Sequence, residues 1–123
     1  MKRTRCSNRV ILTGFVGKEF KLKKVKDDIS VATFFVGIPY QDGDDDSTTE
    51  WETHAVEVWR GLADACKRLT KGSKILVEGA LRLNRWTDAD NNPQARQYIL
   101  ADRVEFLNLK PKEEKAQEEQ TAA

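Results

Sequence analysis

Apolar and polar residues alternate along most of this chain, with the two-residue period of β-strands. In Asn8–Val16 (NRVILTGFV), Val10 and Leu12 share one face and Gly14 interrupts the strand. A glycine inside a strand marks a bulge or sharp bend, which a small barrel needs in order to close. Gly17 can serve the same end. Glu19–Lys26 continues with Leu22 and Val25 among lysines, and Lys26-Asp27-Asp28 reads as a turn. Ile29–Ile38 (ISVATFFVGI) is a second strand, with Ala32, Phe34, Val36 and Ile38 on one face and Val31, Thr33, Phe35 and Gly37 on the other. Pro39 ends it. Glu50–Trp59 (EWETHAVEVW) is a third, with His54, Val56 and Val58 inward and Trp51, Thr53, Ala55, Glu57 and Trp59 outward. Ile75–Asp88 (ILVEGALRLNRWTD) is a long fourth strand. Ile75, Val77, Gly79, Leu81 and Leu83 face a core; Glu78, Ala80, Arg82, Asn84 and Trp86 face water. Gln97–Leu107 is the fifth.

Between strands three and four the period changes. Arg60–Thr70 (RGLADACKRLT) places Leu62, Cys66 and Leu69 on one stripe of a short helix, with Gly72 as its stop. Gln41–Thr49 is a polar loop, and Asp88–Gln94 is a hairpin loop in which Asn91-Asn92 can take left-handed positions. Three strands, a helix and two strands predict an all-β domain, a five-stranded antiparallel OB-fold barrel with one short helix between strands 3 and 4. The barrel occupies residues 1–107. Residues 108–123 are polar, rich in Glu, Lys and Gln, and read as a disordered tail.

Charge and cysteine usage narrow the chemistry. One third of the chain is charged (33%), no run is apolar enough to span a bilayer, and no apolar leader opens it. A cytoplasmic protein with no membrane partner is expected. Cys6 and Cys66 lack metal-ligand spacing, and the acids of Gln41–Thr49 lack the Gly and Glu positions of a calcium loop, so no metal and no cofactor are expected. His54, the sole histidine, has no nucleophile or acid patterned around it and reads as structural. The net charge of +1 conceals segregation: residues 1–26 hold nine Lys/Arg and one acid, and residues 27–57 hold nine acids and no base. Local patches can steer and bind polyanions, so the modest net charge does not exclude such a partner; the alternative is that strands 1 and 2 pair and neutralise each other.

Arg82, Asn84 and Trp86 share one wet face of the fourth strand. An aromatic that stacks a base, flanked by cations that meet phosphates, is the working unit of single-strand nucleic-acid binding. The alternative is that Trp86 only covers a barrel end.

Five pieces of the chain resemble, in order, bacterial-type single-stranded DNA-binding proteins. They are Asn8-Arg9-Val10-Ile11-Leu12-Thr13-Gly14; Val31-Ala32-Thr33-Phe34; Thr49-Glu50-Trp51 with Val56-Glu57-Val58-Trp59; Leu69-Thr70-Lys71-Gly72-Ser73 leading into Val77-Glu78-Gly79-Ala80-Leu81 and Arg85-Trp86-Thr87-Asp88; and Ala101-Asp102 with Val104-Glu105-Phe106-Leu107. The resemblance implies that Trp59 and Trp86 stack bases. Trp51 matches the Thr-Glu-Trp motif with a two-residue offset that keeps its face. Tyr40 lies near, but offset from, the family's aromatic after strand 2, and the outward Phe35 can substitute for it. Arg82, Arg85, Lys71, Lys74 and Arg9 are the phosphate candidates, joined by Arg3, Arg5 and the Lys18–Lys26 cluster, with Asn84 on a base edge or sugar. The implied function is sequence-tolerant binding of single-stranded DNA, protecting it in replication, recombination or repair, by a homo-oligomer, a tetramer ahead of a dimer. The chain ends KEEKAQEEQTAA, without the acidic Pro-Phe tip through which typical members recruit replication enzymes, so recruitment by that route is not expected. A primosome or replication-restart scaffold on the same fold, acting through protein contacts, is the competing reading. An enzyme is not expected, because no carboxylate cluster sits with a base or a metal-ligating histidine.

Overall fold

A computed structural model describes residues 6–40 and 49–109. The strands are β1 (Val10–Val25), β2 (Ile29–Tyr40), β3 (Glu50–Trp59), β4 (Lys74–Thr87) and β5 (Pro93–Asn108); the helix α1 spans Arg60–Ala65. They close a barrel in the order β1-β2-β3-β5-β4. Four seams are antiparallel. The fifth, β3 with β5, is parallel and short, pairing Val56 with Ile99 and Glu57 with Leu100. The all-antiparallel expectation is corrected at this seam alone. Closure brings together two strands that both leave the barrel in the same direction, so their order in the chain cannot make them a hairpin.

β1 serves two partners. Its first part pairs with β4 (Val10 with Gly79 through Phe15 with Lys74), its last part with β2 (Phe20 with Phe34 through Val25 with Ile29). The register with β2 slips between Val16 and Phe20, around Gly17. That bulge is the bend expected of the glycines, and it lets one strand turn a barrel corner. Gly14 lies at a close crossing: a Cβ there would stand 2.6 Å from the carbonyl oxygen of Gly37. The β1–β2 turn uses left-handed Asp27 (φ 59) and Asp28 (φ 63), a conformation that aspartate tolerates.

Most of the inward residues are those the alternation marks, although Val31, on the opposite face of β2 from Phe34, is buried as well. Phe34, Val36, Val56, Val58, Ile75 and Val77 are fully buried, with Ala32, Ile99 and Ala101 around them. Burying a side chain such as Phe34 contributes roughly 1.5–3 kcal/mol. The helical segment plugs the barrel with Ala63, Cys66 and Leu69, while Leu62 is half-buried. It is shorter than expected: α1 stops at Ala65 and a 3₁₀ turn covers Cys66–Arg68. Gly72 is left-handed (φ 89) but does not end the helix. It turns the chain into β4 and donates its N–H to the Val16 carbonyl at 2.8 Å. Ser30 Oγ donates to Asp64 Oδ1 at 2.9 Å, tying α1 to β2. Burial alone pushes the Cys66 thiol up to about 11.

Leu81 and Leu83 do not enter the core. They are 40% and 47% exposed. β1 begins at Val10, opposite Gly79, so past that point only β5 accompanies β4. A two-stranded ribbon has no second layer to bury its apolar face against. At its root the Asn8 side chain stands in for one more residue of β1, its Nδ2 donating to the Leu81 carbonyl and its Oδ1 accepting from the Leu81 N–H. At the other end β5 runs through Asn108, opposite Lys74, and Leu109 packs on the core, so regular structure passes the boundary placed at 107. Arg3, Arg5, most of the Gln41–Thr49 loop and the tail from Lys110 lie outside the described residues.

Candidate nucleic-acid interface

Two ribbons leave the barrel side by side. The parallel contact of Val56 with Ile99 sends the β2–β3 ribbon and the β4–β5 arm out in the same direction. On β3 the outward side chains are Trp51, Thr53, Ala55, Glu57 and Trp59. Trp51 is 55% exposed and Trp59 40%. They stand eight positions apart on one strand, roughly 27 Å of extended chain. Thr53, Ala55 and Glu57 lie between them, and the register sets Phe35 opposite Ala55 and Gly37 opposite Thr53. Trp51 lies against Gly37, edge-on to Phe15 with ring centroids 6.1 Å apart. Lys74 Nζ sits 5.9 Å from the Phe15 ring, which gathers Trp51, Phe15 and Lys74 into one corner.

The arm faces this surface. Antiparallel register places Arg82 opposite Tyr98, Asn84 opposite Arg96 and Trp86 opposite Gln94, each pair on one side of the ribbon. From Gly79 to Thr87 and from Pro93 to Ala101 the arm carries three arginines and no acid. Arg96 bridges the two ribbons, its guanidinium 5.5 Å from the centre of the Phe35 ring. A groove of about 520 Å³ runs between them, lined in part by Phe35, Asn84, Arg96, Tyr98 and Lys21. A second hollow, about 510 Å³, continues past Tyr98 to Trp59, Leu62 and Leu100.

Trp86 is 45% exposed on the arm, beyond the barrel wall, so it covers no barrel end. Its turn is rigidly built. The Asp88 carboxylate accepts from the N–H groups of Asp90 and Asn92 and from Gln94 Nε2, all at about 3 Å. These bonds, Asn92's foremost, hold the Asp88 carboxyl below the usual carboxylate range. Asn91 is left-handed (φ 67), as its place in the hairpin loop requires.

A model of the single-strand binding protein family matches residues 7–107. The chain belongs to that family. It is similar to "Single-stranded DNA-binding protein 1" of Xylella fastidiosa, 34% identical over 84% of this chain and 79% of that one. It is also similar to the mitochondrial single-stranded DNA-binding protein of Oryctolagus cuniculus, 33% identical over 89% of this chain and 80% of that one. In fold it matches the Plasmodium falciparum SSB in complex with single-stranded DNA, with a TM-score of 0.74 at 21% identity, covering 89% of this chain and all of the other.

The other residues singled out from the sequence of this SSB-family domain fall in different places. Lys71 is exposed in the turn before β4, near the Lys74 corner. Arg85 alternates with Arg82 and takes the opposite side of the arm, with Leu81 and Leu83. Tyr40, 44% exposed, is opposite Glu50 on the ribbon side away from Trp51. Arg9 is engaged elsewhere: its guanidinium meets Asp102 at 2.9 and 3.1 Å and Glu78 at 3.0 Å. Hydrogen bonds to Asp102 and then Glu78 raise its pKa, and the same bond from Arg9 lowers that of Asp102. Arg103 extends the network through Glu105 and Glu78. Glu57, a carboxylate on the aromatic face, accepts a hydrogen bond from the Trp59 indole N–H. Arg96 and Tyr98 were not among the sequence candidates; the register of the β4–β5 hairpin is the signal that finds them.

Among the described residues no group of His, Cys, Asp and Glu is placed to hold a metal ion, and no helix is long and apolar enough to cross a membrane.

Proposed function

We propose that this domain binds single-stranded DNA with wide sequence tolerance. Bases stack on Trp59, Trp86 and Trp51, with Phe35 and Tyr98 between, and Arg82, Arg96, Lys21, Lys71 and Lys74 meet phosphates. Tyr40 and Arg85 would act at the margins of this path, and Arg3 and Arg5, outside the described residues, are further phosphate candidates. The observation that carries the reading is the pairing of a β3 face bearing Trp51 and Trp59 with an arm whose two strands carry Trp86, three arginines and no acid. Every base has a π face, so stacking is indifferent to sequence, and each base contributes about 1–3 kcal/mol. A duplex hides those faces in its stack. Single-strand binding proteins are DNA-binding proteins and not enzymes, which fits protection of exposed strands during replication, recombination or repair. A cytoplasmic, nucleoid-associated setting goes with the bacterial relative, whereas other relatives are mitochondrial.

The test is tryptophan emission during titration with oligo-dT and with a matched duplex, at low and high salt. Quenching by the single strand, little by the duplex, and weakening by salt is the expected result. Absence of quenching and of binding would transfer the aromatic face to protein contacts, the scaffold reading.

The domain works as a homo-oligomer, a tetramer in preference to a dimer. Supporting this, Ile11 (61% exposed) and Leu107 (49%) present apolar side chains outside the groove. Sedimentation at micromolar concentration should give a multiple of the chain mass; a single-chain mass would reject assembly.

A further inference from the structure

The groove between the arm and the β2–β3 ribbon holds chemistry that stacking and phosphate contact do not use. At about 520 Å³ it has the volume of a small-ligand pocket. Phe35 and Tyr98 supply its rings, and Ala55, opposite Phe35, keeps its floor low. Lys21 and Arg96 supply positive charge. Yet two carboxylates, Glu19 and Glu57, also line it. A site for phosphates and ring faces alone gains nothing from them, since they repel a polyanion. The side chains of Glu19 and Asn84 make no hydrogen bond or ion pair with another described residue, although both backbones belong to the sheet. Glu57 accepts the Trp59 indole N–H on Oε1, and no described residue makes a hydrogen bond to its Oε2.

An ionised carboxylate only accepts hydrogen bonds. From a base it accepts an exocyclic amino proton, as Asp and Glu do from cytosine N4. Thymine and uracil present a carbonyl oxygen there, and two acceptors facing each other repel. We propose that this groove is a base subsite selective for amino-bearing bases. The base lies between the arm and β2–β3, its amino group donates to Glu57 or Glu19, and its phosphate meets Lys21 or Arg96. Asn84, which both donates and accepts, serves the neighbouring ring position. The preference is modest because the other stacking positions do not discriminate. It rests on the single-strand-binding reading and adds base selectivity to it.

The test compares oligo-dC with oligo-dU of equal length by fluorescence anisotropy at mildly alkaline pH, where cytosine is neutral. The two bases differ in the 4-amino against 4-oxo group and the accompanying N3 proton. The expected result is binding of oligo-dC at least about fivefold tighter, the size of one net hydrogen bond. In the Glu19→Gln/Glu57→Gln double variant, checked for its fold by circular dichroism, the ratio falls to about one. Glutamine at 57 still accepts from the Trp59 indole, so a changed ratio reports the lost charge and not a displaced ring. Equal or tighter binding of oligo-dU by the unaltered protein would overturn the subsite, and so would a ratio unchanged in the double variant. Failure to bind either oligomer would overturn the single-strand reading itself.

Discussion

Replacing Trp59 or Trp86 with alanine should weaken single-strand binding by about 1–3 kcal/mol each, a loss of roughly 5- to 150-fold in affinity. Both rings are 40% or more exposed, and neither belongs to the buried core, so the fold should survive. Trp86 rides on the arm and Trp59 ends β3 at the mouth of α1. They share no contact, so the double variant should lose close to the sum. Anisotropy titrations on the two single variants and the double, each with a native circular dichroism spectrum, would measure this. A folded double variant that binds as tightly as the parent would remove stacking from the account.

Gly79→Ala should destabilise the protein by about 3 kcal/mol or more, the upper range for overpacking a tight interior. A Cβ there would overlap the Leu100 carbonyl oxygen and lie 2.7 Å from the Ala101 Cα. Both are backbone atoms of β5, at the register slip between Glu78 and Gly79, and backbone in a closed seam has nowhere to retreat. Gly61→Ala is the internal control. Nothing lies within 4 Å of its added Cβ, and alanine is the better helix former by about 1 kcal/mol. Urea denaturation should therefore show a sharply lowered midpoint for the first substitution and an unchanged or raised one for the second. Equal midpoints would mean that the β4–β5 seam is far softer than its geometry.

Alternation is a local property, and what it reports is which face of a strand a side chain takes. Phe34, Val36, Val56, Val58, Ile75 and Val77 were legible for that reason. It is silent on whether a second layer exists to receive that face. Leu81 and Leu83 keep the core parity of Ile75 and Val77, yet stand on a ribbon that has outrun β1. The parallel β3–β5 seam was hidden for a related reason: it joins residues separated by the helix and a whole strand, and no local pattern encodes it. Among the candidate site residues, the exposed tryptophans and Arg82 could be found by parity alone. Arg96 and Tyr98 needed a pairing partner as well as a parity. Their strand begins at Pro93, earlier than its apolar residues suggest, and the Asp88–Asn92 turn sets Arg96 opposite Asn84. Arg9 shows the reverse case. A cation near a binding strand invites assignment to phosphate, but Asp102 lies 93 residues away in the chain and only the fold brings it to Arg9.

β4 and β5 each do two jobs in succession. Ile75 to Gly79 and Ile99 to Ala101 are wall, while Arg82 to Thr87 and Pro93 to Tyr98 bury no side chain in the core. The arm is therefore a cantilever whose length is independent of the barrel that anchors it. Adding or removing one opposed pair of residues on each strand would turn the turn over; adding or removing two would restore every facing side chain and lengthen or shorten the reach by a fixed step of roughly 7 Å. Reach along a strand of nucleic acid can thus be altered in increments without disturbing the barrel.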